Sequence, residues 1–443
     1  MTCSYSQSDP AVPNGGCTTA VKSSFLKYFA VTLIIGFYYV PLAAVADIDI
    51  RSDTIVRGFE RRADNGEDEL VLPVYEYLGV DYGDAEQGGL SFHLYGFGRK
   101  DLAGGDFYDD DPEGELMYGY IRYKKPYSLF DASLGRQHIF AGVANQSLDG
   151  LHLSGGIGPY LSAGIFGGLP VDYQDQDGGS ADATYGTRVA HHFEGHYEIG
   201  FSYQKTEADG ELSEEKAGAD LVLHLGSWLT VNGLSSYNLD SEDWREHRYD
   251  AQFLVSHLAI EPSFQYFSYQ DYFGKGNSQN NIFHFLQNEE EILAISGADI
   301  VWQGMGPVDV GVRGRHYDYD RRQESASYMA GLLTFNTSSS SQIGVEVGRM
   351  DGETADNIYD LYRGYFYWQQ PLKMKAQGFI SGDALFIAYD APVYGEDKSV
   401  QYSVSAGRHF FNNRMETKLS GIFSKDPYLE DDVGGVVTLH IHY

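Results

Sequence analysis

The chain has almost no cysteine, little proline and about half as many basic as acidic residues. Both of its cysteines, Cys3 and Cys17, precede residue 47. Residues 47–443 therefore carry no disulfide, no thiolate metal site and no Cys-x-x-Cys-His haem attachment. Only 31 Lys and Arg stand against 63 Asp and Glu, for a net charge of −32. This excludes the basic surface that nucleic-acid binding requires. No long apolar run follows Val40, and mean hydropathy is −0.34, which excludes a bundle of membrane helices. Gly-x-Ser-x-Gly, His-Glu-x-x-His and phosphate-loop motifs are missing, so no local motif indicates an enzyme.

What is present is aromatic and glycine-rich. With 35 Tyr, 25 Phe and 52 Gly, the chain has too much to bury to remain disordered. High Tyr and Gly with a polar average suit an all-β, transmembrane, antiparallel up-and-down barrel, in which half of each strand faces water and aromatics ring the interfaces. Strict alternation supports this. Leu90, Phe92 and Leu94 oppose Ser91, His93 and Tyr95. Ala217 to Leu225 alternate with Gly218, Asp220, Val222 and His224, and Val308, Val310 and Val312 alternate with Asp309, Gly311 and Arg313. Each set reads as lipid-facing against lumen-facing.

Short links at Gly158-Pro159, Glu194-Gly195, Gly226-Ser227, Gln370-Pro371 and Asn412-Asn413 alternate with longer ones. The longer set is Lys100 to Glu113, Pro170 to Asp182, Thr206 to Glu215, Asp271 to Asn288 and Lys425 to Asp432. Short periplasmic turns alternating with long extracellular loops predict about 22 strands, or 20 if the segments near Ile50 to Phe59 and Val71 to Tyr82 are not counted.

The N-terminal segment reads as a signal peptide over residues 1–46. Lys22 and Lys27 precede the apolar run Phe29 to Val40, and Ala44-Val45-Ala46 offers a cleavage site. A single outer-membrane barrel domain over 47–443 follows, in contact with outer-membrane lipid. The final strand places Val437, Leu439, Ile441 and Tyr443 on one face and Thr438, His440 and His442 on the other. Strands of this pattern with a terminal aromatic resemble the signal read by the barrel-assembly machinery, which the resemblance implies as a partner through Tyr443.

The hairpin Leu134-Gly135-Arg136-Gln137 and Ser147-Leu148-Asp149-Gly150-Leu151 resembles a pattern in porin-like and alginate-export-like barrel families. On residue chemistry alone, Arg136 reaching Asp149 across that hairpin is equally a clamp on register near the outer rim. Arginines recur within strands, at Arg122, Arg188, Arg248, Arg313, Arg315, Arg349, Arg363 and Arg408. Those near strand centres are expected to face the lumen, because a lipid-facing Arg costs about 2–4 kcal/mol. Glu198, Asp220, Asp309 and Glu346 are their expected partners. Arg188, Glu198, Asp220, His224, Asp309, Arg313, Arg315 and Glu346 are thus candidate pore-lining residues, either an ion-selecting constriction or a brace within the wall.

Asp109, Asp110 and Asp111 form an acidic loop able to hold Ca²⁺ loosely, without EF-hand spacing. His191 and His192 point to opposite faces, and His440 and His442 share one without a third ligand. No metal site and no cofactor are expected. Two functions follow. One is a porin-like channel for passive diffusion of small hydrophilic solutes or ions, with Asp271 to Asn288 as its constriction and a preference for cations. The other resembles the barrel of a porin–cytochrome conduit, a sheath around a separate multihaem cytochrome.

Overall fold

The computed structural model describes residues 48–62, 68–83, 88–104, 107, 108, 111–125, 130–171, 181–208, 210–269, 291–337, 341–369, 378–427 and 432–443. The expected leader, the loop Asp271 to Asn288, Gln370-Pro371, Asp109 and Asp110 lie outside the described residues.

Alternating residues with β-branched and aromatic side chains form 22 strands. They are β1 (Ile48–Arg62), β2 (Asp68–Val71 and Pro73–Tyr82), β3 (Gly89–Asp101), β4 (Glu113–Lys124), β5 (Asp131–Ala141), β6 (Ala144–Ile157), β7 (Leu161–Pro170) and β8 (Ala181–Phe193). Next come β9 (Tyr197–Ala208), β10 (Glu211–Leu225), β11 (Leu229–Asn238), β12 (Asp243–Val255), β13 (Leu258–Ser268), β14 (Ile292–Met305) and β15 (Val308–Tyr319). The remainder are β16 (Glu324–Asn336), β17 (Gln342–Gly352), β18 (Tyr359–Gln369), β19 (Gly378–Val393), β20 (Glu396–Phe410), β21 (Met415–Lys425) and β22 (Asp432–His442). The break in β2 has a local cause. Pro73 has no N–H to give, and the Leu72 N–H turns to Asp101 Oδ1 at 3.0 Å.

Each strand pairs antiparallel with its neighbours, and β22 pairs with β1 from Arg51↔His442 to Phe59↔Gly434. The Tyr443 N–H donates to the Ile50 carbonyl at 3.0 Å. The ladder is closed, so no strand edge remains to invite association, and every strand has two partners for its backbone groups. The first two strands are present, which settles the count at 22. His440 and His442 meet Asp53 and Asp49 at 2.6 and 2.7 Å across this seam.

Outward positions carry exposed Leu, Val, Ile and aromatic side chains around the circumference, including Leu90, Ile165, Val312, Val347 and Leu419. Tyr82, Tyr123, Phe193, Trp228, Trp302 and Trp368 are exposed and cluster at the strand ends that bear the shorter turns. An apolar outer wall edged by aromatics is the surface that a bilayer covers. A carboxylate lies within this wall at β2. Glu76 shares the outward face with Leu78 and Val80 and accepts hydrogen bonds from Ser52 and Thr54, both at 2.6 Å.

Loop lengths alternate less sharply than the sequence suggests. Thr206 to Glu215 is not a long loop, because β9 continues to Ala208 and β10 starts at Glu211. The acidic side chains there pair with lysines two residues along the same strand, Glu207 with Lys205 at 2.8 Å and Glu214 with Lys216 at 3.1 Å.

Candidate functional site

All eight candidate pore-lining residues lie on the inner face, opposite exposed apolar neighbours. Arg188 holds Asp220 through Nε at 3.0 Å and Glu198 through Nη2 at 2.6 Å. Arg313 bridges Asp299 at 3.1 Å and Glu346 at 3.0 Å, and Arg315 reaches Asp299 at 2.7 Å. Glu346, almost fully buried, also accepts the Tyr328 hydroxyl at 2.9 Å. Among the described residues Asp309 pairs with no arginine; it accepts from Asn336 at 2.6 Å. His224 lies 3.2 Å from the Thr230 hydroxyl. These strand arginines are thus neutralised within the wall, and the brace describes them better than an open ring of selecting charge.

Two of the strand arginines, outside the strand centres for which a lumen position is expected, face outward. Arg349 shares the outward face with Val345 and Val347, near the end of β17, and pairs with Asp360 at 3.2 Å and Asp390 at 2.7 Å. Arg408 shares the face of Tyr402 and Val404 at the end of β20, with its guanidinium over the Phe410 ring. Both sit near strand ends, where charge on the outer face costs little.

Arg136 binds Asp149 in a bidentate pair, both contacts at 2.9 Å, as a register clamp would. The clamp stands where β5 and β6 leave the wall. The β4–β5 ladder ends at Gly119↔Arg136, and the β6–β7 ladder starts at Leu148↔Pro170. Beyond those pairs β5 and β6 pair with each other to Ala141↔Ala144. The tip turns back onto the inner wall of β8–β10. The Val143 N–H donates to Ser202 Oγ at 2.9 Å, Gln146 donates to Thr184 Oγ1 at 2.7 Å, and Gln204 donates to Gln146 Oε1 at 2.9 Å. Gly142 turns the chain at φ +64°, where a Cβ would strike Ser202. Ile139, Ala144 and Leu148 bury themselves with Phe166 beneath the hairpin. Its opposite side presents His138, Asn145 and Phe140, the last 81% exposed. An in-turned hairpin thus occupies part of the barrel interior.

Sequence reasoning missed this hairpin, and the constriction it named, Asp271 to Asn288, lies outside the described residues. One signal was available. Leu134 and Ile139 are five residues apart, so in one strand they face opposite ways, and Ile139 then needs an apolar partner inside.

Among the described residues no group of three or more His, Cys, Asp or Glu is placed to hold a metal ion. Asp111 is one of the weak Ca²⁺ candidates, and its Oδ1 accepts the Asp101 N–H at 2.9 Å. His191 and His192 do face opposite ways, His191 toward an outer apolar groove with Val189, Phe201 and Leu221. Ser91, His93 and Asp81 form a chain with contacts of 2.9 and 2.5 Å. The order matches a hydrolase triad. However, Ser91 is 3% exposed and Asp81 also holds Arg51 at 2.8 Å, so the chain of contacts is a brace.

The closed 22-strand ladder, the apolar outer belt and the polar inner wall together decide the architecture. The protein is a closed, membrane-spanning β-barrel of the outer-membrane type. No protein-family model matches the chain, and no curated protein does. Among solved structures it is similar to OccAB2 of Acinetobacter baumannii, with 9% identity, a TM-score of 0.46, and 90% of this chain and 98% of that one covered. It is also similar to a BenF-like porin from Pseudomonas fluorescens Pf-5, with 7% identity, a TM-score of 0.44, and coverage of 90% and 98%. The P pilus usher PapC translocation pore matches at 10% identity and a TM-score of 0.45, with coverage of 90% and 99%. Likeness at this level adds nothing to the barrel's own geometry.

Proposed function

We propose that this barrel is a channel for passive diffusion of small hydrophilic solutes or ions across the outer membrane. The observation that carries the reading is the in-turned hairpin docked on Ser202, Thr184 and Gln204. A lumen of 22 strands is wider than that of the 16–18-stranded porins and needs narrowing to retain the cell's contents. A hairpin fastened to the inner wall narrows it without closing it with a folded plug. The polar inner wall suits water, and the net charge of −32 favours entry of cations.

Purified protein in planar bilayers tests the reading. Stable conductance from the chain alone is expected, with a reversal potential in a salt gradient that favours the cation. A folded, heat-modifiable barrel that carries no current would overturn the channel. A multihaem cytochrome that co-purifies would favour the sheath instead, which no observation on the described residues supports over the channel.

A further inference from the structure

We propose that the inner wall across β2–β4 is a binding strip for neutral, polyhydroxylated ring solutes, of which saccharides are the type. The proposal rests on the channel reading and names the solute class that the channel favours.

Its basis is a run of tyrosines on one face of three neighbouring strands. Tyr75 and Tyr77 of β2 alternate with Val74, Glu76 and Leu78, and Tyr95 of β3 alternates with Leu94, below the outward Leu90 and Phe92. Tyr118 and Tyr120 of β4 lie opposite the exposed Ile121 and Tyr123. A bulge at Tyr95/Gly96 adds one residue to β4, so Leu116 points outward while Tyr118 still faces in.

The rings form a continuous series. Tyr75 and Tyr77 have centroids 6.3 Å apart, Tyr77 and Tyr95 6.0 Å, Tyr95 and Tyr118 5.3 Å, and Tyr118 and Tyr120 6.0 Å. The first three pairs are within about 25° of parallel, with interplanar angles of 18°, 20° and 23°. Rings stacked this way on a sheet stand off the wall and turn their edges and hydroxyls to the lumen. At the upper end the Tyr75 hydroxyl meets that of Tyr108 at 3.0 Å, in the segment between β3 and β4. Burial and this hydrogen bond hold the Tyr108 phenol neutral, well above its ordinary pKa. At the lower end Tyr120 stacks on His93, 4.7 Å between centroids. The strip thus runs from the β3–β4 loop toward the turn after Tyr82.

Three hydroxyls on it, those of Tyr77, Tyr95 and Tyr120, have no hydrogen-bond partner among the described residues. Ion pairs border these phenols, Arg51 with Asp81 at 2.8 Å and Arg122 with Asp131, and Arg51 reaches the Tyr118 hydroxyl at 3.4 Å. Phenols suit a different solute. Each hydroxyl both donates and accepts, as a sugar hydroxyl does, and each ring edge offers apolar contact to a sugar C–H face. An ion gains little from neutral phenols, and a purely apolar solute would leave the hydroxyls unsatisfied. The steps of 5–6 Å between rings are on the scale of one sugar ring, so a solute can move from one phenol to the next by many weak steps. Weak, repeated binding is what lets a solute enter and still leave.

The test uses the full chain in planar bilayers with maltotriose as the probe. The expected result is a saturable, reversible fall in ion conductance as maltotriose is added. Tyr95→Ala and Tyr118→Ala should each raise the half-blocking concentration about tenfold, the loss of roughly one ring contact. Tyr95→Phe keeps the ring and should fall between wild type and Tyr95→Ala. Heat-modifiable gel mobility confirms that each variant is a folded barrel. Normal conductance with no block by maltotriose overturns the strip and leaves the channel standing, as does block that the double variant Tyr95→Ala/Tyr118→Ala leaves unchanged. Block by benzoate but not by maltotriose also overturns it, in favour of an aromatic acid. If the folded protein carries no current, the channel reading fails. Calorimetric titration of the detergent-solubilised barrel with maltotriose then decides the strip by itself: heat lost in the double variant supports it, and no heat overturns it.

Discussion

The Val143 amide donates to the Ser202 hydroxyl at 2.9 Å, between residues 59 apart in the chain. This contact ties the tip of the β5–β6 hairpin to the inner wall of β9, and Gly142 permits it by having no Cβ. Gly142→Val should lift the hairpin, because it adds a clash with Ser202 and strain at φ +64° of about 1–3 kcal/mol. Single-channel recordings should then show larger and noisier conductance, while gel mobility still reports a folded barrel. Unchanged conductance in a folded variant would mean that the hairpin does not limit the current.

Glu346 serves Arg313 and Tyr328 at once. Glu346→Gln removes one negative charge and leaves Arg313 with Asp299 alone, so local potential becomes more positive. The reversal potential should move toward anions. Unfolding from lipid vesicles in urea should show a loss of about 1–3 kcal/mol, the usual cost of an ill-served buried polar group. A wild-type reversal potential would assign this cluster to support of the wall alone.

The Arg136–Asp149 clamp is partly exposed, and its geometry is bidentate. A double-mutant cycle with Arg136→Gln and Asp149→Asn should give a coupling of up to about 1 kcal/mol. It should weaken further as salt is raised. A coupling several times larger would mean that the hairpin depends on this pair to leave the wall at all.

Glu76 places a carboxylate among outward apolar side chains, held by Ser52 and Thr54. Glu76→Gln keeps hydrogen-bonding capacity and removes the charge from the lipid face, so the folded barrel should become more stable. The midpoint of the heat-induced mobility shift should rise in the variant. A fall would mean that the carboxylate is covered by something other than lipid in the membrane.

Much of the barrel was legible because the bilayer enforces a rule with period two. Val308, Val310 and Val312 against Asp309, Gly311 and Arg313 could be assigned to lipid and lumen without any knowledge of neighbours. The inward placement of Arg188, Asp220 and Glu346 followed from the same rule, while the strand count came from the alternation of turns and loops, which left 20 or 22 open. Where the rule weakens, so did the reading. Arg349 and Arg408 lie near strand ends, where outward charge is tolerated, and their faces were set by Asp360, Asp390 and Phe410.

Loop boundaries were less secure, because an acidic strand end and an acidic loop have the same composition. Thr206 to Glu215 is largely strand, because the backbone ladder runs on through Lys205↔Glu215 and Thr206↔Glu214.

The sequence by itself determined a closed membrane barrel, its outer belt and the absence of cysteine chemistry in the wall, since each depends on residue type and period. Only the tertiary structure decided which charges are neutralised, which hairpin turns inward and which tyrosines form one strip. Those depend on the register between strands far apart in the chain. Ser202 and Val143, or Tyr77, Tyr95 and Tyr118, become neighbours through pairing that no single segment encodes.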